Sequence, residues 1–187
     1  MDSNNKRIAK NQKLVKILDD LVEKALDELY VKDSYLLENE VHERTIVFRF
    51  GLYLQALMDK SNEFNEYNLD CEYNRNGEDC KRLPCRPCGA VPDLIIHQRG
   101  SNDNNLLVIE FKPYWEPNTQ EDIEKLEQFV SLSGEYKYSC AKSIVFSFAR
   151  DIVNVETIYN KQLREGWQGT KRWMTIVFLS IYSFNKS

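Results

Sequence analysis

The stretch from Val91 to Pro113, VPDLIIHQRGSNDNNLLVIEFKP, constrains this chain more than any other. Two apolar runs, Leu94-Ile95-Ile96 and Leu106-Leu107-Val108-Ile109, flank Gly100-Ser101-Asn102-Asp103-Asn104-Asn105, a segment dense in turn formers. The expected structure is a β-hairpin. The second run ends in Glu110 and Lys112, and a carboxylate and an ammonium closing so apolar a strand call for a reason. Alternation puts Val108, Glu110 and Lys112 on one face and Ile109 and Phe111 on the other. Val91 precedes a proline and is biased towards extended backbone. Asp93 then opens the first strand, so Asp93, Glu110 and Lys112 are expected to converge where the two strands meet.

Other segments supply the layers that such a hairpin needs. Residues 6–30 carry Leu14, Leu18, Leu21, Val22, Ala25 and Leu29 at helical spacing, with acidic residues mostly opposite. A second helix is expected from about Glu40 to Lys60, with Val47, Phe50, Leu54 and Leu57 as its buried stripe. Residues 66–74 alternate like a half-buried strand, with Tyr67, Leu69, Cys71 and Tyr73 on one side. An irregular segment, 75–91, follows. A third helix is expected at 119–133, with Ile123, Leu126, Phe129, Val130 and Leu132 apolar. Strands are expected at Ile144–Phe148 and at Met174–Ser183, and 153–167 reads as helix or loop. This order gives a single α/β domain, 1–187, with a mixed central sheet flanked by helices and an extra N-terminal helix over 1–35. The strand at 106–109 lacks alternation, as burial on both faces requires.

Length and composition suit one globular domain: 187 residues, 42% hydrophobic and 29% charged. No apolar run approaches the roughly 20 residues of a bilayer span, and the N-terminus, MDSNNKRIAKNQK, is polar, so a cytoplasmic protein without a membrane partner is expected. A net charge of −4 gives no global basic field, although a local basic surface would suffice for nucleic acid.

Two carboxylates close together in a partly buried site repel unless something neutralises them. A hard divalent cation does so, and Mg²⁺ takes one or two carboxylates and completes its shell with waters and substrate oxygens. An adjacent lysine can hold the attacking water or stabilise charge growing on a phosphoryl oxygen. The alternative is a plain ion pair of Asp93 with Lys112 across a strand end, with Glu110 beside it. An acid, one residue, then Lys also occurs at Asp79-Cys80-Lys81 and Glu135-Tyr136-Lys137, but only Glu110-Phe111-Lys112 ends a buried strand. Extending the second helix's stripe backwards reaches Glu43 and Glu40. Their acids either lie at a helix N-terminus, where the dipole favours them, or, for Glu43, reach in towards a metal.

At these residues the chain resembles the PD-(D/E)xK, or restriction-endonuclease-like, nuclease superfamily. The resemblance rests on Pro92-Asp93 and Glu110-Phe111-Lys112, with Glu43 in the place of the helical acid. It covers roughly residues 40–149 and the order helix–strand–strand–strand–helix–strand. HERTIVFRFGLYLQ, DCEYNRNG, VPDLIIHQRG and NLLVIEFK together look like small bacterial or phage proteins within it. The resemblance implies a restriction-endonuclease-like core and a nuclease dependent on Mg²⁺ or Mn²⁺, acting on DNA and working alone, as a homodimer or with a protein partner. It implies Asp93, Glu110 and the Phe111 carbonyl as metal ligands, Lys112 as the catalytic lysine, and Glu43 as a ligand or its support. A catalytically degenerate binding module of the same fold is the alternative. Gln128 is followed four residues later by Leu132, so the Gln-xxx-Tyr pattern of some members is not met.

The segment 75–91 is rich in Cys and Arg. Arg75, Lys81, Arg82 and Arg86, with Arg99 at the hairpin, are candidates for phosphate contacts, the alternative being a charged solvated loop. Tyr73 and Trp115 could stack on bases or simply pack. Cys71, Cys80, Cys85 and Cys88 contain one C-x₂-C pair, half of a strong zinc signal, so a zinc clamp competes with free thiols. Cys140 reads as core. His97 reads as an exposed strand residue.

Overall fold

The computed structural model describes residues 3–166, and the strand expected at 174–183 lies outside them. The chain runs α1 (Ser3–Lys32), α2 (Ser34–Glu38), α3 (Glu43–Met58), β1 (Asn68–Cys71), β2 (Arg75–Asn76), β3 (Asp79–Cys80), β4 (Leu94–His97), β5 (Leu107–Lys112), α4 (Gln120–Val130), β6 (Cys140–Val145), β7 (Asn154–Tyr159) and α5 (Lys161–Gly166). Strands β1, β4, β5, β6 and β7 lie in that order in one sheet, and β2 with β3 forms a small separate hairpin. Only β5 and β6 pair in parallel, with α4 crossing between them, so the sheet is mixed.

Helices cover both faces. Leu14, Leu18 and Leu29 of α1 and Ile46, Phe50 and Leu54 of α3 pack on Leu94, Ile96, Ile109 and Phe111. On the other face Leu126, Phe129 and Val130 of α4 pack with Ile95, Val108, Tyr136 and Tyr138. This double cover explains why β4 and β5 read as unbroken apolar runs: every residue from Leu94 to His97 and from Leu107 to Phe111 is buried. Phe111 stacks on Phe146 at 5.1 Å between ring centroids and meets Phe50 edge-on at 5.2 Å. That aromatic contact fixes the end of β5 against α3.

Several boundaries differ from the sequence expectation. Glu40 lies in a turn with φ of 50°, not in a helix; α3 starts at Glu43, after His42 accepts the Arg44 amide on Nδ1. The fourth strand of the expected core is β6, four residues earlier than the apolar run Ile144–Phe148 suggests. It takes Cys140-Ala141-Lys142-Ser143 because parallel register sets Leu107 against Cys140 and Lys112 against Val145. Lys142 is buried there by an ion pair with Asp19 of α1 at 2.6 Å. The 153–167 segment begins as strand β7, antiparallel to β6, before turning helical. Leu132 lies beyond the end of α4.

Candidate functional site

The hairpin brings its acids together as its pattern requires. Leu94 of β4 stands opposite Ile109 of β5, so Asp93 and Glu110 sit one residue further along, at the same end of the pair. Asp93 Oδ2 accepts the Phe111 amide at 2.8 Å. It thereby caps the donor that β4 would have bonded had it continued. Pro113 follows Lys112 directly and β5 ends there. Glu110 and Lys112 both point to the α4 face. Glu110 Oε2 meets Lys125 Nζ at 2.7 Å, and Lys112 Nζ meets Asp122 at 3.1 Å.

Glu43 comes to the same place from the other side. It stands in the first turn of α3, half-buried, and feels the charges of Lys112, Asp93 and Asp122. An open cavity of about 210 Å³ lies between the start of α3 and the end of β1. Glu43, Arg44, Phe48, Glu72 and Asp93 line it. The site thus joins residues from α3, β4, β5 and α4, and Asp93, Glu110, Lys112 and Glu43 are all brought together.

Burial dominates the electrostatics. It pushes Glu110 up to about 8, with Asp93 raising it further and Lys125 opposing. Burial likewise pushes Glu43 up to about 7, opposed by Lys112. Asp93 is raised by burial against the pull of the Phe111 amide and of Lys125 and Lys112. Burial alone would lower Lys112, but Asp122, Glu43 and Asp93 outweigh it and raise its pKa. Four carboxyls therefore share two ammoniums, and the deficit is met by protons or by a cation of charge two.

Asp122 and Lys125 each supply one partner of the site's two ion pairs, and sequence reasoning missed both. The available signal was their spacing: three residues apart, on the face of α4 that also presents Leu126 and Phe129 to the sheet.

Among the described residues no group of three or more His, Cys, Asp or Glu side chains is arranged to hold a metal ion. Mg²⁺ does not require one. It is commonly held by one or two carboxylates, with waters and substrate oxygens in the remaining positions. Glu110 Oε1 is a buried carboxylate oxygen without a hydrogen-bond partner, the donor such an ion would use. The residues present therefore fit a hard divalent cation. Cys71, Cys80 and Cys88 are exposed and Cys85 is half-buried, and among the described residues the four are not gathered as a zinc clamp would gather them. Cys140 is buried in β6 as expected.

The basic residues do not form one surface. Lys81, expected as a phosphate contact, is only 2% exposed. Its ammonium bonds the Arg75 carbonyl and lies 4.7 Å from the Tyr73 ring centre and 5.5 Å from that of Tyr136. Arg86 pairs with Glu121 beside the site, whereas Arg99 pairs with Asp70 at the opposite end of β4. Arg75 bonds the Glu78 carbonyl, and Arg82 is exposed. Tyr73 packs on His97, and Trp115 on Tyr114. His97, expected to be exposed, is buried and bonded to Asp70 at 2.9 Å. Gln128 accepts the Cys85 amide and so anchors the Cys/Arg-rich loop to α4.

Comparison with protein-family models, curated proteins and solved structures returns no match to this chain. Among the described residues no helix is long and apolar enough to cross a membrane.

Proposed function

We propose that this chain is a Mg²⁺-dependent nuclease that hydrolyses phosphodiester bonds of DNA on a restriction-endonuclease-like core. The observation that carries the reading is the meeting of Asp93, Glu110 and Lys112 at one strand end, with a buried Glu110 oxygen left unpartnered. Glu110 Oε1, the second Asp93 oxygen and the Phe111 carbonyl would hold the ion. A bound Mg²⁺ would polarise a phosphoryl oxygen and acidify a water. Lys112, on β5, faces Asp93 and Glu43 and would hold that water or offset charge on the phosphoryl oxygens. Glu43 faces Lys112 and Asp93 from the first turn of α3 and would support the ion and the lysine from that side. The cavity beside Asp93 gives the phosphate an approach, with Arg44 on its wall.

A second reading has its own observation. Lys112 and Lys125 are each already paired with an acid, so the site is partly satisfied without metal. A catalytically silent nucleic-acid or protein-binding module would look the same. The deciding experiment is a nuclease assay on single- and double-stranded DNA and RNA with Mg²⁺, Mn²⁺ or chelator, run beside Asp93→Asn and Lys112→Ala. Divalent-dependent cleavage lost in both variants supports the enzyme. Cleavage that survives in both, or none together with no Asp93-dependent Mn²⁺ binding, refutes it.

A further inference from the structure

Helix α4 lies over the strand-end acids, and one of its side chains ties β5 to the segment that leads into β4. Lys125 Nζ lies 2.7 Å from Glu110 Oε2 on β5 and 2.9 Å from the carbonyl oxygen of Val91, two residues before Asp93. A positive centre thus sits between a carboxylate and a main-chain carbonyl drawn from two segments. Hard divalent ions favour this kind of oxygen set. Lys125 and Glu110 are both buried, and Leu126 and Phe129 anchor this part of α4 in the core. The ammonium is therefore held in place and not swept in from solvent. Glu110 is divided: Oε2 belongs to Lys125, while Oε1 is buried and has no partner.

Resting on the reading of the site given above, we propose that the Lys125 ammonium stands where a second divalent cation would otherwise bind, so that this chain takes one metal ion and not two. The division of Glu110 supports this, since a carboxylate that bridges two ions with one oxygen on each would need Oε2, which Lys125 holds. The charge balance supports it as well. Lys112 and Lys125 leave the four carboxyls short by the charge of one divalent ion, and a second would overcompensate. Lys125 is then a positioning residue. It acts through Glu110 and the Val91 carbonyl and does not touch the scissile bond.

The test is Mn²⁺ stoichiometry on the full chain, by calorimetry and by the electron paramagnetic resonance spectrum at saturation. Wild type is expected to bind one Mn²⁺ and give the spectrum of an isolated ion. Lys125→Ala, which removes charge and stem, is expected to bind two and show an exchange-coupled pair, while Lys125→Arg stays at one. A coupled pair in the wild type overturns the proposal, as does an Ala variant that folds and still binds a single ion. Should the Ala variant fail to fold, the wild-type spectrum still decides. No Asp93-dependent Mn²⁺ binding by wild type overturns the nuclease reading itself, an outcome distinct from one ion bound by both proteins.

Discussion

Asp93 Oδ2 accepts the main-chain amide of Phe111 at 2.8 Å, so the first acid of the site is tied to the residue between the second acid and the lysine. This bond sets the spacing of the constellation, because Glu110 and Lys112 flank the amide it captures. It also gives Asp93 two separable roles, one structural and one electrostatic.

Those roles predict different outcomes for two substitutions. Asp93→Asn keeps an oxygen to accept the Phe111 amide but loses the charge. Its stability is expected to stay close to wild type, while Mn²⁺ affinity and cleavage collapse. Asp93→Ala also strands a partly buried amide, which costs about 1–3 kcal/mol. Thermal unfolding beside Mn²⁺ calorimetry separates the two. An Asn variant that binds Mn²⁺ like wild type would remove Asp93 from the metal site.

Lys112 is predicted to matter for rate and not for metal loading. Its ammonium pairs with Asp122 and faces Glu43 and Asp93 without touching the open oxygen of Glu110. Lys112→Ala is expected to lower kcat by roughly 10²–10³-fold, as loss of one preorganised charge does, with Mn²⁺ stoichiometry unchanged. Single-turnover cleavage and calorimetry on the same preparation check this. Loss of metal binding with full single-turnover rate in the residual loaded fraction would reverse the assignment.

How much of this was legible follows from which forces act locally. The hairpin and the shared face of Val108, Glu110 and Lys112 were readable, because period-two alternation and a polar turn are properties of neighbouring residues. The place of β6 was not. Ile144–Phe148 is the more apolar run, but the strand's register is set by pairing with β5, and its buried Lys142 depends on Asp19, more than a hundred residues away. Asp122 and Lys125 escaped for a similar reason. On α4 they look like solvated charges, and only the strand end beneath them turns them inward. Lys81 is the converse case. It belongs to a basic-looking loop, yet rings from Tyr73 and Tyr136 draw it out of water.

The raised carboxyls predict how the metal-free protein responds to pH. Glu110, pushed to about 8, and Glu43, pushed to about 7, hold protons in the native state that the unfolded chain has already released. Stability contributed by such groups is present at acid pH and falls as pH rises from the ordinary carboxyl range towards about 8. Urea unfolding at pH 5, 6, 7 and 8 should show this decline, and Glu110→Gln should flatten it. Added Mg²⁺ should restore stability at the upper end, where it replaces the lost protons. A wild-type decline no steeper than that of Glu110→Gln would contradict the burial of Glu110, since the difference between the two proteins cancels His97, whose lowered pKa pushes the other way.

Lys81 should produce the opposite slope in a higher window. Burial lowers its pKa to about 8, so above that value the native amine is neutral while the unfolded chain still carries the charge. With more protons bound in the unfolded state, stability rises with pH from about 8 towards the ordinary lysine value. Lys81→Met keeps the stem between the Tyr73 and Tyr136 rings and removes the titration, at the cost of the bond to the Arg75 carbonyl. The variant's stability relative to wild type should therefore be most favourable near pH 7 and become steadily less so up to pH 10. Taking the difference between the two proteins cancels the tyrosines that titrate in the same range. A difference independent of pH would mean that Lys81 keeps its charge in the folded chain, and that the loop exposes it to solvent or to a partner after all.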